Sequence, residues 1–215
     1  MDRSLRPSLR LAGIVTMILV SVGIGVPHAA SAGEPVSEQA DVTSGAQAAL
    51  DALERWDNEG DTAAYLTYLD NRDAVAAVVA RTLGLDPVEM VDAWAVADLD
   101  GQTAVLAALG QLGVAYRRYA SAPGEAFDCS GLTRFAWSQA DVELERSSRN
   151  QFRAATEVSH DEAHAGDLVW YPGHVMLYLG VGDAIVHSPT RGRTVEYMVL
   201  SDRRASWVRF ADPTP

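Results

Sequence analysis

Three residues carry the chemistry needed for acyl transfer: Cys129, the only cysteine of the chain, and His174 and His187, two of its five histidines. A thiolate is a strong nucleophile near neutral pH, and an imidazole can take up its proton. Cys129 immediately precedes or opens a predicted helix from about Ser130 to Ala140, in which Leu132, Phe135 and Ala136 share a face. At a helix start, unpaired backbone N–H groups and the positive end of the dipole favour a thiolate and form a ready oxyanion site.

The histidines lie in two strand-like runs, HVMLYL (174–179) and AIVHS (184–188). If Leu179 pairs with Ala184 across the loop Gly180–Asp183, Met176 stands opposite His187. His174 and His187 then become diagonal neighbours on one face. A one-residue bulge in the loop would reverse that parity. A cysteine at a helix start, a histidine on a facing strand and a third polar group to orient it make a nucleophile, base and orienter, and predict acyl transfer through a thioester. Two alternatives stand beside this reading. The thiol is a buried, inert residue, or the set is a metal site, for which a fourth ligand is not evident. A single cysteine rules out both an internal disulfide and a Cys-rich zinc site.

The elements that must position these residues form an α+β pattern. Helical spacing runs from Ala46 to Gly113, with expected breaks at Asn58–Gly60, Leu83–Gly84 and Asp100–Gly101. Asp86-Pro87-Val88-Glu89 signals a helix start by N-cap, first-turn proline and capping box, for a helix reaching about Ala97. In the last helix Val105, Ala108, Leu109 and Leu112 share a face, and Gly113 ends it. The runs LVWY (168–171) and VEYMVL (195–200) complete an antiparallel meander with the two histidine strands.

The N-terminus reads as an export signal: Arg3, Arg6 and Arg10 precede an apolar run from Leu11 to Val26, and Ala30-Ser31-Ala32 is an A-x-A cleavage site. Cleavage after Ala32 removes three arginines and one aspartate, taking the formal charge from -12 to -14. So acidic a chain, without one lysine, excludes nucleic acid as a partner. No later segment is long and apolar enough for stable membrane insertion once the signal is gone. The expected organisation is a signal peptide (1–32), a flexible polar linker (33–45), a helical N-terminal region (46–101) and a catalytic domain (102–215).

The motifs FDCSGL (127–132), RSS (146–148), AGDLV (165–169), HV (174–175) with YLG (178–180), and VH (186–187) occur in an order that resembles the NlpC/p60 family of papain-like cysteine peptidases of bacterial cell walls. The resemblance runs from about Gln111 to Val199. It implies a papain-like domain, its nucleophile helix packed on an antiparallel sheet, without cofactor or metal. Residue by residue it implies Cys129 as nucleophile, His174 as general base and acid, and His187 as the polar group orienting His174. It also implies Tyr116 near the substrate and oxyanion, with Asp128 and Ser130 lining the peptide cleft. The implied substrate is a peptidoglycan stem peptide, typically cut at the γ-D-glutamyl bond to a diamino acid such as meso-diaminopimelate, by a secreted or wall-associated enzyme. An N-acetylmuramoyl-L-alanine amidase and a non-catalytic wall-binding module are the other readings of such a domain. Arg117-Arg118-Tyr119-Ala120-Ser121 replaces the glycine-rich stretch expected after the tyrosine. Its arginines are either solvated or face substrate carboxylates. His160 and His164 are read as surface residues. The helical region is read as a packing partner, or as a cover that restrains the cleft.

Overall fold

A computed structural model describes residues 35–214 of the chain. The expected export signal lies outside the described residues. Among those residues no helix is long and apolar enough to cross a membrane.

Four helices come first: α1 (Pro35–Glu59), α2 (Thr62–Leu83), α3 (Pro87–Val96) and α4 (Leu99–Leu109). Helix α1 corrects the expected linker, since from Pro35 onward that segment is helical. Val42, Ala46, Ala49 and Ala52 are fully buried, and this helical spacing needs a helix to reach the core. Gly45 lets α2 approach, because a Cβ there would sit 2.7 Å from Val75 Cγ2. The breaks at Gly60 and Gly84 fall as expected, and Gly84 closes α2 with φ 72°. The third break is displaced. Asp98 caps α4 by accepting from the Gly101 N–H at 2.6 Å, so Asp100 and Gly101 belong to its first turn. A domain boundary at 101/102 would therefore cut α4. Leu99 and Asp100 are exposed, but every residue from Gly101 to Leu109 is buried, so beyond its first two residues α4 is a central helix with no solvent face.

Next come the short strands β1 (Ala115–Tyr116), β2 (Ser121–Ala122) and β3 (Ala126–Phe127), which form a small sheet in the order β1-β3-β2. Helix α5 (Cys129–Ser138) follows directly, then α6 (Ser148–Ala154). The main sheet contains β4 (Thr156–Val158), β5 (Leu168–Tyr171), β6 (His174–Tyr178), β7 (Ala184–His187) and β8 (Glu196–Val199). After a short helix α7 (Asp202–Ala205) it closes with β9 (Arg209–Asp212). The order is β4-β9-β5-β6-β7-β8, antiparallel throughout. The expected meander is β5 to β8. β4 and β9 lie outside the expected meander, and their pairing joins residues over 50 positions apart (Thr156 with Asp212).

One continuous core runs from Val42 in α1 through Trp94, α4 and α5 to Leu177 and Val186 on one face of the sheet. A smaller cluster of Val169, Met176, Tyr178, Ile185 and Phe210 covers the opposite face. Two contacts tie the N-terminal helices to the sheet region. Trp94 Nε1 donates to the Leu179 carbonyl at 2.8 Å, and Gly166 packs so closely that a Cβ on it would sit 2.5 Å from Gly101 Cα. The glycine of AGDLV is thus demanded by a helix outside the quoted motifs. The helical region is a packing partner of the sheet.

Candidate active site

The β6–β7 hairpin has the register expected from its alternation. Leu177 pairs with Val186 and Tyr178 with Ile185, and the Leu179 N–H donates to the Ala184 carbonyl at 2.9 Å. This parity brings the two imidazoles together: His174 Nε2 and His187 Nδ1 are 2.9 Å apart, with the rings edge to face. The backbone ladder does not reach the histidine ends of the strands. There the Cys129 thiol lies against the N–H of Val175, the residue after His174.

Both imidazoles are 93% buried. Burial, with the neighbouring His187 and Arg204, lowers the His174 pKa from its ordinary 6.5 to about 3. Burial, with the charge of Arg193, lowers His187 to about 4. Both rings are therefore neutral at pH 7. His187 Nε2 lies 3.2 Å from Glu196 Oε1, a hydrogen bond from a neutral ring to a carboxylate that also pairs with Arg193. Glu196 sits directly opposite His187 on the β7–β8 ladder.

The expectation for the thiol needs revision. Burial is the largest influence and raises the Cys129 pKa, and the Asp128 carboxylate adds to the rise. The N–H groups of Val175, Ser130 and Cys129 oppose it without overcoming it. The helix start thus favours the thiolate as anticipated, but desolvation wins, and the resting pair is neutral thiol and neutral imidazole.

Asp128 organises the start of α5. Its Oδ1 accepts from the Gly131 N–H at 2.7 Å and from Arg146 at 3.0 Å, while Oδ2 accepts from Arg146 at 2.8 Å and from the Tyr119 N–H at 2.8 Å. Arg146 also donates to Ser130 Oγ at 3.0 Å. Asp128 and Ser130 are each 6% exposed, so the expected cleft-lining role is revised. With Arg146 they fix the start of the helix that carries the thiol, because a buried carboxylate must be surrounded by donors. Gly131 is required by contact, since a Cβ there would sit 2.0 Å from the Ala120 carbonyl oxygen.

Tyr116 pairs with Phe127 in the small sheet and donates its N–H to the Arg193 carbonyl at 2.9 Å. Burial raises its pKa, a thiolate at Cys129 would raise it further and the Asp128 carboxylate adds to the rise, so its hydroxyl stays protonated. In the departing segment, exposed Tyr119 has φ 64° and lies under the Arg118 guanidinium at 4.7 Å. His160 and His164 are exposed, as expected. Among the described residues no cluster of three or more His, Cys, Asp or Glu could hold a metal ion.

Glu196, Arg193 and the structural part of Arg146 were not assigned from sequence. Seven residues separate Ser188 from Glu196, and no periodicity carries strand parity across that loop. For Arg146 a signal existed, an arginine in a quoted motif near a buried aspartate.

Residues 113–208 match the sequence profile described as the NlpC/P60 family. The chain is 38% identical over 106 residues to a probable endopeptidase of Corynebacterium glutamicum, covering 46% of this chain and 50% of that protein. It is 44% identical over 71 residues to the peptidoglycan endopeptidase RipB of Mycobacterium tuberculosis, covering 31% of this chain and 30% of the relative. To the gamma-DL-glutamyl hydrolase of Bacillus subtilis it is 31% identical over 105 residues, covering 45% and 25%. The chain spans half or less of the length of these curated relatives. Over residues 113–208 the chain is thus similar to the NlpC/P60 family.

Proposed function

We propose that the protein is an exported cysteine endopeptidase that hydrolyses peptidoglycan stem peptides, at the γ-D-glutamyl bond to meso-diaminopimelate. The observation that carries the reading is the meeting of Cys129, at the start of α5, with the end of β6 where His174 is joined to His187 at 2.9 Å. In the proposed mechanism the thiol proton passes to His174 as sulfur attacks the scissile carbonyl. First-turn N–H groups of α5 and the Tyr116 hydroxyl stabilise the oxyanion. The C–N bond breaks, His174 delivers its proton to the leaving amine, and a thioester remains. Water, deprotonated by His174, then cleaves the C–S bond and frees the carboxylate product. No metal or cofactor is required.

The names of the relatives support both the peptide substrate and the γ-glutamyl linkage. The signal-like residues 1–32 support export and a wall location. Digestion of purified peptidoglycan with product masses tests the bond. Loss of the bond between D-glutamate and the diamino acid is expected, whereas release of whole stem peptides from muramic acid would make the protein an amidase. Cys129→Ala should abolish fragment release. Undiminished release would sink the reading, and binding without turnover by the native chain would make it a wall-binding module.

A further inference from the structure

We propose that Glu196 is a positioning residue that fixes the proton on each ring of the histidine pair and so makes Nδ1 of His174 the basic nitrogen. The inference rests on the cysteine-peptidase reading above and adds a fourth member to Cys129, His174 and His187.

The argument is one of donors and acceptors. Glu196, paired with Arg193, is a carboxylate and can only accept hydrogen bonds. His187 Nε2, 3.2 Å from Glu196 Oε1, must therefore carry a proton, since two lone pairs facing each other at that distance repel. A neutral imidazole has one N–H, so His187 Nδ1 is left as an acceptor. Its partner at 2.9 Å, His174 Nε2, must then be the donor. His174 is neutral too, and its one proton is now spent on His187. The lone pair that remains is on Nδ1, the nitrogen not engaged by His187 and free for the thiol proton. Without the carboxylate both rings are free to reverse: His187 Nδ1–H can donate to His174 Nε2, and His174 Nδ1 then carries a proton and cannot act as base.

The fold supplies the carboxylate deliberately placed for this. His187 and Glu196 are directly opposed on the β7–β8 ladder. Arg193 precedes β8 in a segment whose backbone is tied to residues 113–116, with Val195 N–H donating to the Val114 carbonyl at 2.8 Å and Tyr116 N–H to the Arg193 carbonyl at 2.9 Å. The side chain that holds Glu196 is thus on the same strip of backbone that places Tyr116.

The test begins with the native chain, labelled with 15N on histidine, at pH 7. Long-range 1H–15N correlation should give both rings as the Nε2–H form, with bare Nδ1. A proton on Nδ1 of either ring overturns the proposal, with no variant involved. Glu196→Ala should then bring the Nδ1–H form of His187 into the spectrum and lower kcat about 10- to 100-fold with KM within about two-fold, the scale on which an outer partner orients a catalytic imidazole. Glu196→Gln keeps an acceptor oxygen and should restore the Nε2–H form and kcat to within about three-fold of native. Full kcat in Glu196→Ala, or loss of kcat in Glu196→Gln with native tautomers, overturns the role of Glu196. Turnover by Cys129→Ala would instead defeat the underlying reading, whatever the spectra show.

Discussion

Two buried polar clusters, one in the helical region and one in the sheet, solve the same problem with opposite results. In the helical region Tyr68 Oη donates to Gln102 Oε1 at 2.6 Å, Arg72 donates to the same oxygen at 2.9 Å, and Gln102 Nε2 donates to the Ala97 carbonyl at 2.7 Å. Arg72 also pairs with Asp73 at 2.7 Å. The polar ends all point at one another, and burial pushes Tyr68 up to about 12, so its hydroxyl stays protonated at neutral pH. In the sheet the chain Glu196–His187–His174 is ordered from its solvent side inward, and its last ring keeps a nitrogen that His187 does not use. The first cluster closes on itself and holds α2 to α4. The second stays open at His174, next in the chain to Val175, whose N–H the thiol meets. Buried polar groups thus mark chemistry only where one valence is left over.

The sharpest way to break this contrast is to remove one member from each side. His174→Ala should lower kcat about 10²- to 10⁴-fold, with the melting temperature changed little, since the proposed mechanism loses its base. Steady-state kinetics beside thermal melts would check it, and an unchanged kcat would put the open chain on the same footing as the closed one. Gln102→Leu should do the reverse. It strands the Tyr68 hydroxyl and one Arg72 N–H in the core, with Arg72 still paired to Asp73, and should cost about 2–4 kcal/mol of stability, read by urea unfolding, while kcat per folded molecule stays native.

Acid should separate the clusters next. The buried histidines titrate at about 3 and about 4, so the base form of His174 survives well below pH 6.5. The acid limb of kcat/KM is expected below pH 5, and a limb near 6.5 would contradict it. Burial of both rings sets it first, with His187 and Arg204 acting on His174 and Arg193 on His187; Glu196 and Tyr171 also face the pair. Stability follows the same linkage. Unfolded histidine takes up protons as pH falls through 6.5, while the folded pair resists until about 4 and then about 3. Their neutral burial contributes fully above 6.5, and that contribution is lost as pH falls towards 4. Asp167 has the opposite sign: burial raises it to about 6, so its contribution is present at low pH and is lost as pH rises through 6. Asp167→Asn should therefore steepen the fall in melting temperature between pH 6.5 and 4. The smallest effect expected is Tyr68→Phe, about 1 kcal/mol of stability and no change in kcat, because Gln102 Oε1 keeps Arg72.

Which features were legible follows the range of the forces involved. The hairpin register could be read because residues 174–187 are contiguous and their alternation survives a four-residue loop without a bulge. The start of α3 could be read because capping is local: Asp86 accepts from Val88 N–H at 2.8 Å. The helical character of 33–45 is not legible because these small, polar residues carry only Val36 and Val42 as large apolar signals, and the burial of Val42 depends on α2 and α4 arriving later in the chain. Asp128 and Ser130 were placed on the open cleft because their motif says that they are near the thiol without saying on which side of it. Arg146, from beyond α5, decides that they lie inside.

By itself the sequence determined the identity and spacing of Cys129, His174 and His187, the parity that joins the two imidazoles, and the family that such motifs resemble, since each is a property of a few neighbouring residues. Tertiary structure alone decided the rest. Burial outweighs the helix start and keeps the thiol protonated, Gly166 must be glycine because α4 crosses it, and a glutamate nine residues beyond His187 meets its far nitrogen. These depend on desolvation and on packing between distant segments, and neither exists until the chain has folded.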